Sequence, residues 1–290
     1  MPRLFVAAFA GVLLSTLASV AAEPIPIVAA ENFYGEVAAA VGGDRVAVEN
    51  VLVNPDVDPH DFEPSPSVAR GIADARIVLF NGADYDHWVK QLLEASERQG
   101  RVVIEAAALI GAKEGDNPHV WYDPRTMPAV ADALTKALTE IDPDGAAGYE
   151  ARRAAYVASL APLQMKVKNM RDRFAGLPIT ATEPVFGYMA DALGLTMGNG
   201  EFQTAIMNET EPSAKAVAKM IDDIRGNKVK VLIYNRQVTD AMTEQLLAAA
   251  QEAKVPVVGV SETLPVGLTY PQWMDSQLDA LEKALAGPSS

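Results

Sequence analysis

The chain has three histidines and no cysteine in 290 residues. Chemistry that needs a thiolate, whether a disulfide scaffold, a sulfur-bound zinc, an iron–sulfur cluster or a cysteine nucleophile, is excluded at the outset. Two of the histidines keep unusual company. His60 lies in Asn54-Pro55-Asp56-Val57-Asp58-Pro59-His60-Asp61-Phe62-Glu63-Pro64, and His119 in Asp116-Asn117-Pro118-His119-Val120-Trp121-Tyr122-Asp123-Pro124. Each is a Pro-His pair with an aromatic residue two positions on. Proline fixes φ and stiffens its loop, which suits a side chain held ready for a ligand. Neighbouring acids offer acceptors for the imidazole N–H, although turn and capping chemistry is the preferred reading for Asp61 and Asp123. His87, in Asp84-Tyr85-Asp86-His87-Trp88-Val89, falls in the first turn of an amphipathic stretch and reads as a surface residue.

Two imidazoles do not complete a metal shell, and without thiolates the other ligands must be oxygens. The second half of the chain places one oxygen-bearing residue just after each of three apolar runs. Glu183 follows 179–182 and precedes Pro184, Asn235 follows 231–234, and Glu262 follows 257–261. Open parallel sheets bind ligands beyond the carboxyl ends of their strands. A carboxylate there also favours the N-terminus of a following helix by a few tenths of a kcal/mol, so ligand and helix-end roles both stay open.

These residues need a frame. Short apolar runs alternate with amphipathic stretches, the pattern of α/β units with mostly parallel strands. Strands are expected at 25–29, 46–53, 77–81 and 102–104, with helices at 33–41, 67–73, 86–98 and 124–141. In the last, Asp123 is the expected N-cap and Pro124 the first helical residue. From Tyr149 to Phe174, apolar residues recur at three- and four-residue steps. This predicts one long helix over 145–175, open to a bend at Pro162. Thirty helical residues span about 45 Å, enough to connect two lobes. The α/β rhythm then resumes, with strands at 179–182, 229–234 and 255–261, helices at 184–193, 213–225, 239–253 and 270–286, and a loop at 198–210. The expected organisation is an N-terminal α/β lobe (23–144), the linking helix (145–175) and a C-terminal α/β lobe (176–290).

Composition narrows the function. At 49% hydrophobic and 21% charged residues the chain is globular, and a formal charge of −14 argues against nucleic acid and for cations. A basic start, an apolar stretch from Leu4 to Val20 and small residues at 20–22 predict a signal peptide over 1–22. With no cysteine to acylate, the exported protein is expected free in a bacterial periplasm.

On the segments around His60 and His119, Glu183-Pro184-Val185-Phe186-Gly187-Tyr188 and the long central helix, the chain resembles the zinc- and manganese-binding solute-binding proteins of ABC importers. The resemblance runs through essentially the whole mature chain. It implies two lobes joined by a rigid helix, a divalent metal held between them as cargo, and an inner-membrane importer permease as partner. It also implies ligands. His60 matches the His of an Asp-Pro-His segment, and His119 that of a Pro-His-x-Trp-x-Asp-Pro segment. Glu183 stands where zinc members carry His and manganese members Glu, and Glu262 stands where an Asp is usual. The histidine-rich loop of well-known zinc members has no counterpart in 106–117. With two neutral imidazoles, Glu183 and Glu262 bring a divalent ion to formal neutrality, whereas Asn235 in place of Glu262 leaves +1. The oxygen-rich set leans slightly to manganese, with ferrous iron also compatible, against an affinity order that favours zinc. A secreted metallohydrolase using His60, His119 and Glu183 is the alternative, but no His-Glu-x-x-His helix accompanies it. An adhesion role fits poorly without a lipid-anchor cysteine. The expectation is therefore a monomeric metal carrier and not an enzyme.

Overall fold

The computed structural model describes residues 23–55, 59, 62–208, 210–238 and 240–287. The expected signal peptide and His60, with Asp61, lie outside the described residues.

Two parallel sheets of four strands form the frame. The first comprises β1 (Ile25–Glu31), β2 (Val46–Leu52), β3 (Ile77–Phe80) and β4 (Val102–Glu105), in the order β2-β1-β3-β4. The second comprises β5 (Pro178–Ala181), β6 (Thr196–Gly198), β7 (Leu232–Asn235) and β8 (Val257–Val260), in the order β6-β5-β7-β8. The central strands are buried along nearly their whole length, as continuous apolar runs such as Ile77–Phe80 require, while edge strand β2 alternates. Among the described residues no helix is long and apolar enough to cross a membrane.

The first sheet is flanked by α1 (Asn32–Gly42), α2 (Pro66–Asp74), α3 (His87–Ala95), α4 (Ala106–Leu109) and α5 (Thr126–Ile141). Helix α5 starts two residues later than expected, and Arg125, not Asp123, holds its cap position. Asp123 is drawn into a turn, where it accepts from the backbone N–H of Arg125 at 2.8 Å and pairs with that residue's guanidinium.

The expected linking helix is present as two segments, α6 (Ala146–Ser159) and α7 (Ala161–Phe174), joined through Leu160. Pro162 falls in the first turn of α7, where its missing N–H leaves no intrahelical bond unmade. Helix α6 is tied to the first lobe by Arg152, which donates to the carbonyls of Val41 and Gly42 at the end of α1 (2.8 and 3.0 Å). Helix α7 is tied to the second lobe by Lys166, which bridges Asp275 and Asp279 of α12 (Tyr270–Ala286).

Helices α8 (Gly187–Ala192), α9 (Gly200–Met207), α10 (Ala214–Arg225), α11 (Ala241–Ala253) and α12 complete the second lobe. Helix α9 corrects the loop expected at 198–210. Phe202 and Ile206, one turn apart, face the apolar layer that α10 and α11 build on β7, and this tertiary contact overrides the loop-like Gly-Asn-Gly entry.

The two lobes share one core. Phe33 of α1 packs on Trp121 (ring centroids 5.0 Å) and on Trp273 of α12 (5.8 Å), and Tyr122 reaches Phe186 (5.4 Å). A single buried cluster thus runs from Ile27 in the first strand to Leu281 in the last helix.

Candidate metal centre

The carboxyl ends of both sheets point at this seam, and His119, Glu183 and Glu262 lie along it. His119 follows β4 and α4 and opens a short 3-10 turn, Val120–Tyr122. Its Nδ1 lies 2.7 Å from Oδ1 of Asn117, whose Nδ2 donates to the carbonyl of Pro184 at 2.7 Å. That second bond fixes which end of the amide faces the ring: the oxygen does, so Nδ1 carries a proton and Nε2 is the nitrogen turned to the seam. The expected acidic acceptor is thereby corrected. An amide performs this task because Asn117 must also bond a carbonyl of the opposite lobe, which a carboxylate cannot do.

Glu183 sits two residues beyond β5, in extended backbone just before a 3-10 turn at Pro184–Phe186. Glu262 sits two residues beyond β8, and Asn235 is the last residue of β7. His119, Asn235 and Glu262 are each 1% exposed and Glu183 is 7% exposed. Glu262 Oε2 stands 3.4 Å from His119 Nε2, so residues from the two lobes meet directly. Glu183 joins them through Asn235, whose Nδ2 donates to Glu183 Oε2 at 2.7 Å and to Glu262 Oε1 at 2.6 Å. The Glu262 backbone N–H donates to Gln237 Oε1 at 2.5 Å. Among the described residues, no three His, Asp or Glu side chains stand close enough to hold an ion jointly.

Aromatic and polar neighbours hold this seam. Trp121 and Tyr85 stand edge-on to the His119 ring, at 5.2 and 6.0 Å between centroids. Tyr122 donates to the Ser261 carbonyl (2.7 Å) and Tyr270 to that of Trp121 (2.6 Å), while Asn32 exchanges two bonds with the backbone of Leu264. A groove of about 380 Å³ opens between the lobes, lined by Asp84, His87 and Asp116 on one side and Thr204, Met207 and Asn208 on the other. His87 is exposed there, as its sequence context predicts.

Sequence reasoning missed a second acid pair. Glu31 ends β1, and Asp86 precedes α3 and accepts from the backbone N–H groups of Asn81 (2.6 Å) and Gly82 (2.8 Å). Burial pushes Asp86 up to about 6. Burial first, then the neighbouring Asp86 charge, pushes Glu31 well above the usual carboxylate range. An acid ending an otherwise apolar strand was the available signal.

Comparison with known proteins places this geometry in a family. The family described as zinc-uptake complex component A, periplasmic, matches residues 27–284. The high-affinity zinc uptake system protein ZnuA of Bacillus subtilis is 27% identical over 260 residues, covering 81% of this chain and 80% of the relative. The manganese-binding lipoprotein MntA of Halalkalibacterium halodurans is 24% identical over 281 residues, covering 91% and 89%. The solved structure of the periplasmic zinc binding protein TroA from Treponema pallidum matches in fold with a TM-score of 0.75 at 20% identity, covering 91% of this chain and 99% of that one.

Proposed function

Because the chain belongs to the zinc-uptake complex component A family, we propose that it is the solute-binding component of an ABC importer. It captures a divalent transition metal, zinc or manganese, and delivers it to an inner-membrane permease. The observation that carries this reading is the burial of His119, Glu183 and Glu262 together at the seam of the two lobes. A carboxylate withdrawn from water costs several kcal/mol unless an opposite charge offsets it. A divalent cation with His60, His119, Glu183 and Glu262 as ligands supplies that charge and makes the site formally neutral.

Asn235 fits poorly as a ligand. Its Nδ2 faces both carboxylates as a donor, and its Oδ1 accepts from the backbone N–H of Gln237 at 3.1 Å. Four protein ligands suit a carrier, since a hydrolytic metal keeps an open position for water. The protein acts as a periplasmic monomer, freed of its leader and, having no cysteine, not lipid-anchored. Metal analysis of protein purified without added metal, with calorimetric titration of zinc and manganese, tests the reading. One tight equivalent is expected in the parent and none in His119→Ala, and full binding by that variant refutes the site.

A further inference from the structure

Asn117 joins the two lobes beside residues that each contributes to the metal centre. On the first-lobe side its Oδ1 meets His119 twice, at the ring Nδ1 (2.7 Å) and at the backbone N–H (3.1 Å). On the second-lobe side its Nδ2 donates at 2.7 Å to the carbonyl of Pro184, the residue after Glu183. That carbonyl also accepts from the backbone N–H of Gly187, so the amide is seated on the turn that follows Glu183. Tyr188 of α8 donates to the Asn117 carbonyl at 2.8 Å and closes the same joint a second time. Gly187 leaves the amide its place: a Cβ there would stand 2.7 Å from Asn117 Nδ2, inside contact distance.

We propose that Asn117 is a positioning residue through which the second lobe sets the metal-binding form of His119. The inference rests on the assignment of His119 as a ligand through Nε2. A carbonyl accepts and cannot donate, so Pro184 takes the NH2 end of the amide and leaves the oxygen end to the ring. Two acceptors then face the imidazole from opposite sides, Asn117 Oδ1 at 2.7 Å from Nδ1 and Glu262 Oε2 at 3.4 Å from Nε2. A proton drawn to Nε2 occupies the nitrogen that must take the cation, whereas a proton held at Nδ1 leaves Nε2 to bind it. The shorter contact is the one at Nδ1, and the amide presents its oxygen there because Pro184 holds its other end. The linkage is reciprocal: a cation on Nε2 fixes the proton at Nδ1 and so favours the amide orientation that bonds the opposite lobe.

Nitrogen-15 spectra of the metal-free protein at about pH 8, above the ordinary imidazole range, report which ring nitrogen carries the proton, and zinc titration against a chelator reports affinity. His119→Ala identifies the His119 signals and tests the ligand reading itself. The parent is expected to carry its proton at Nδ1 alone. Asn117→Ala is expected to move that proton to Nε2 and to lower zinc affinity by about tenfold to a hundredfold. Asn117→Asp keeps an acceptor at Nδ1 and is expected to keep the proton there. Gly187→Ala acts on the same amide from the opposite lobe: alanine is the better helix former, so the fold is kept while the added methyl displaces Nδ2. A smaller change of the same kind in both readouts is expected. This variant removes no polar group, so a folding defect in Asn117→Ala does not decide the result. With zinc lost in His119→Ala, a proton that stays at Nδ1 in both Asn117→Ala and Gly187→Ala, or zinc affinity unchanged in both, overturns the proposal and leaves the ligand reading standing. A parent whose Nε2 carries a proton overturns it as well, and so does an Asn117→Asp variant that behaves like Asn117→Ala, since the lost acceptor is then not the cause. Full zinc binding by His119→Ala overturns the ligand reading and the proposal together.

Discussion

Each lobe buries a pair of carboxylic acids at the carboxyl end of its sheet, and the two pairs are solved differently. In the first lobe Asp86 takes its bonds from two backbone N–H groups, and Glu31 lies buried beside it. Burial holds both acids above the usual carboxylate range, Asp86 at about 6 and Glu31 raised further by the neighbouring Asp86 charge. In the second lobe Asn235 stands between Glu183 and Glu262 and bonds both, while an imidazole from the other lobe faces Glu262. Acids left to each other hold a proton. Acids spaced by an amide and faced by a histidine are the ones we propose hold a cation.

The largest effect expected from breaking this contrast is at the second pair. His119→Ala should remove tight metal binding, and with it a metal-linked stabilisation of roughly 4 kcal/mol at a thousandfold excess over Kd. A melting curve in which that variant keeps the full metal-induced shift contradicts the assignment. Glu262→Gln should weaken metal binding far more than Glu31→Gln, which should leave it unchanged. A chelator competition that ranks them the other way removes the distinction between the pairs.

Acid sharpens the comparison further. Protons compete with metal for imidazole and carboxylate alike, and with ordinary histidine values near 6.5 the affinity should fall steeply from about pH 7 to pH 5. A flat affinity over that range excludes histidine ligation. The first pair should act in the opposite direction on the metal-free fold. A carboxyl raised in the folded state contributes stability that is fully present below its unfolded value near 4 and is lost as pH rises through the folded value, about 6 for Asp86. Glu31→Gln should therefore flatten the fall in stability above pH 4 and raise the melting temperature at pH 8. An unaltered pH profile means the buried Glu31–Asp86 pair does not set this slope. The smallest effect is at His87→Ala, expected to leave metal binding unchanged and to shift stability by less than about 0.5 kcal/mol.

Much of this arrangement was legible in the residues. The central strands announce themselves as apolar runs, and α12 begins at Tyr270 and ends at Ala286, as its periodicity predicts. Glu183 and Glu262 come together because each stands two residues past a strand, a position that sequence does record, while His119 reaches them from a turn of the other lobe. What escaped depends on contacts distant in the chain. Strand β6 is only Thr196–Gly198, too short to carry a period, and α9 is a helix by virtue of what Phe202 packs against. Asn117 looks like a turn residue until its second bond, 67 positions away at Pro184, is seen. The bridging role of Asn235 likewise exists only once β5, β7 and β8 lie side by side.

The aromatic seam has a consequence for how the chain is made. Phe33 belongs to the first helix, yet its stacking partner Trp273 belongs to the last, and Asn32 waits for Leu264 across 232 positions. A chain emerging N-terminal end first can assemble its first sheet early, but it cannot close the core above that sheet until α12 arrives. Contacts this distant in sequence slow folding and keep apolar surface exposed in the interval. A fragment ending before residue 270 should therefore remain an incomplete intermediate, prone to aggregation, with Phe33 left without the partner that α12 supplies.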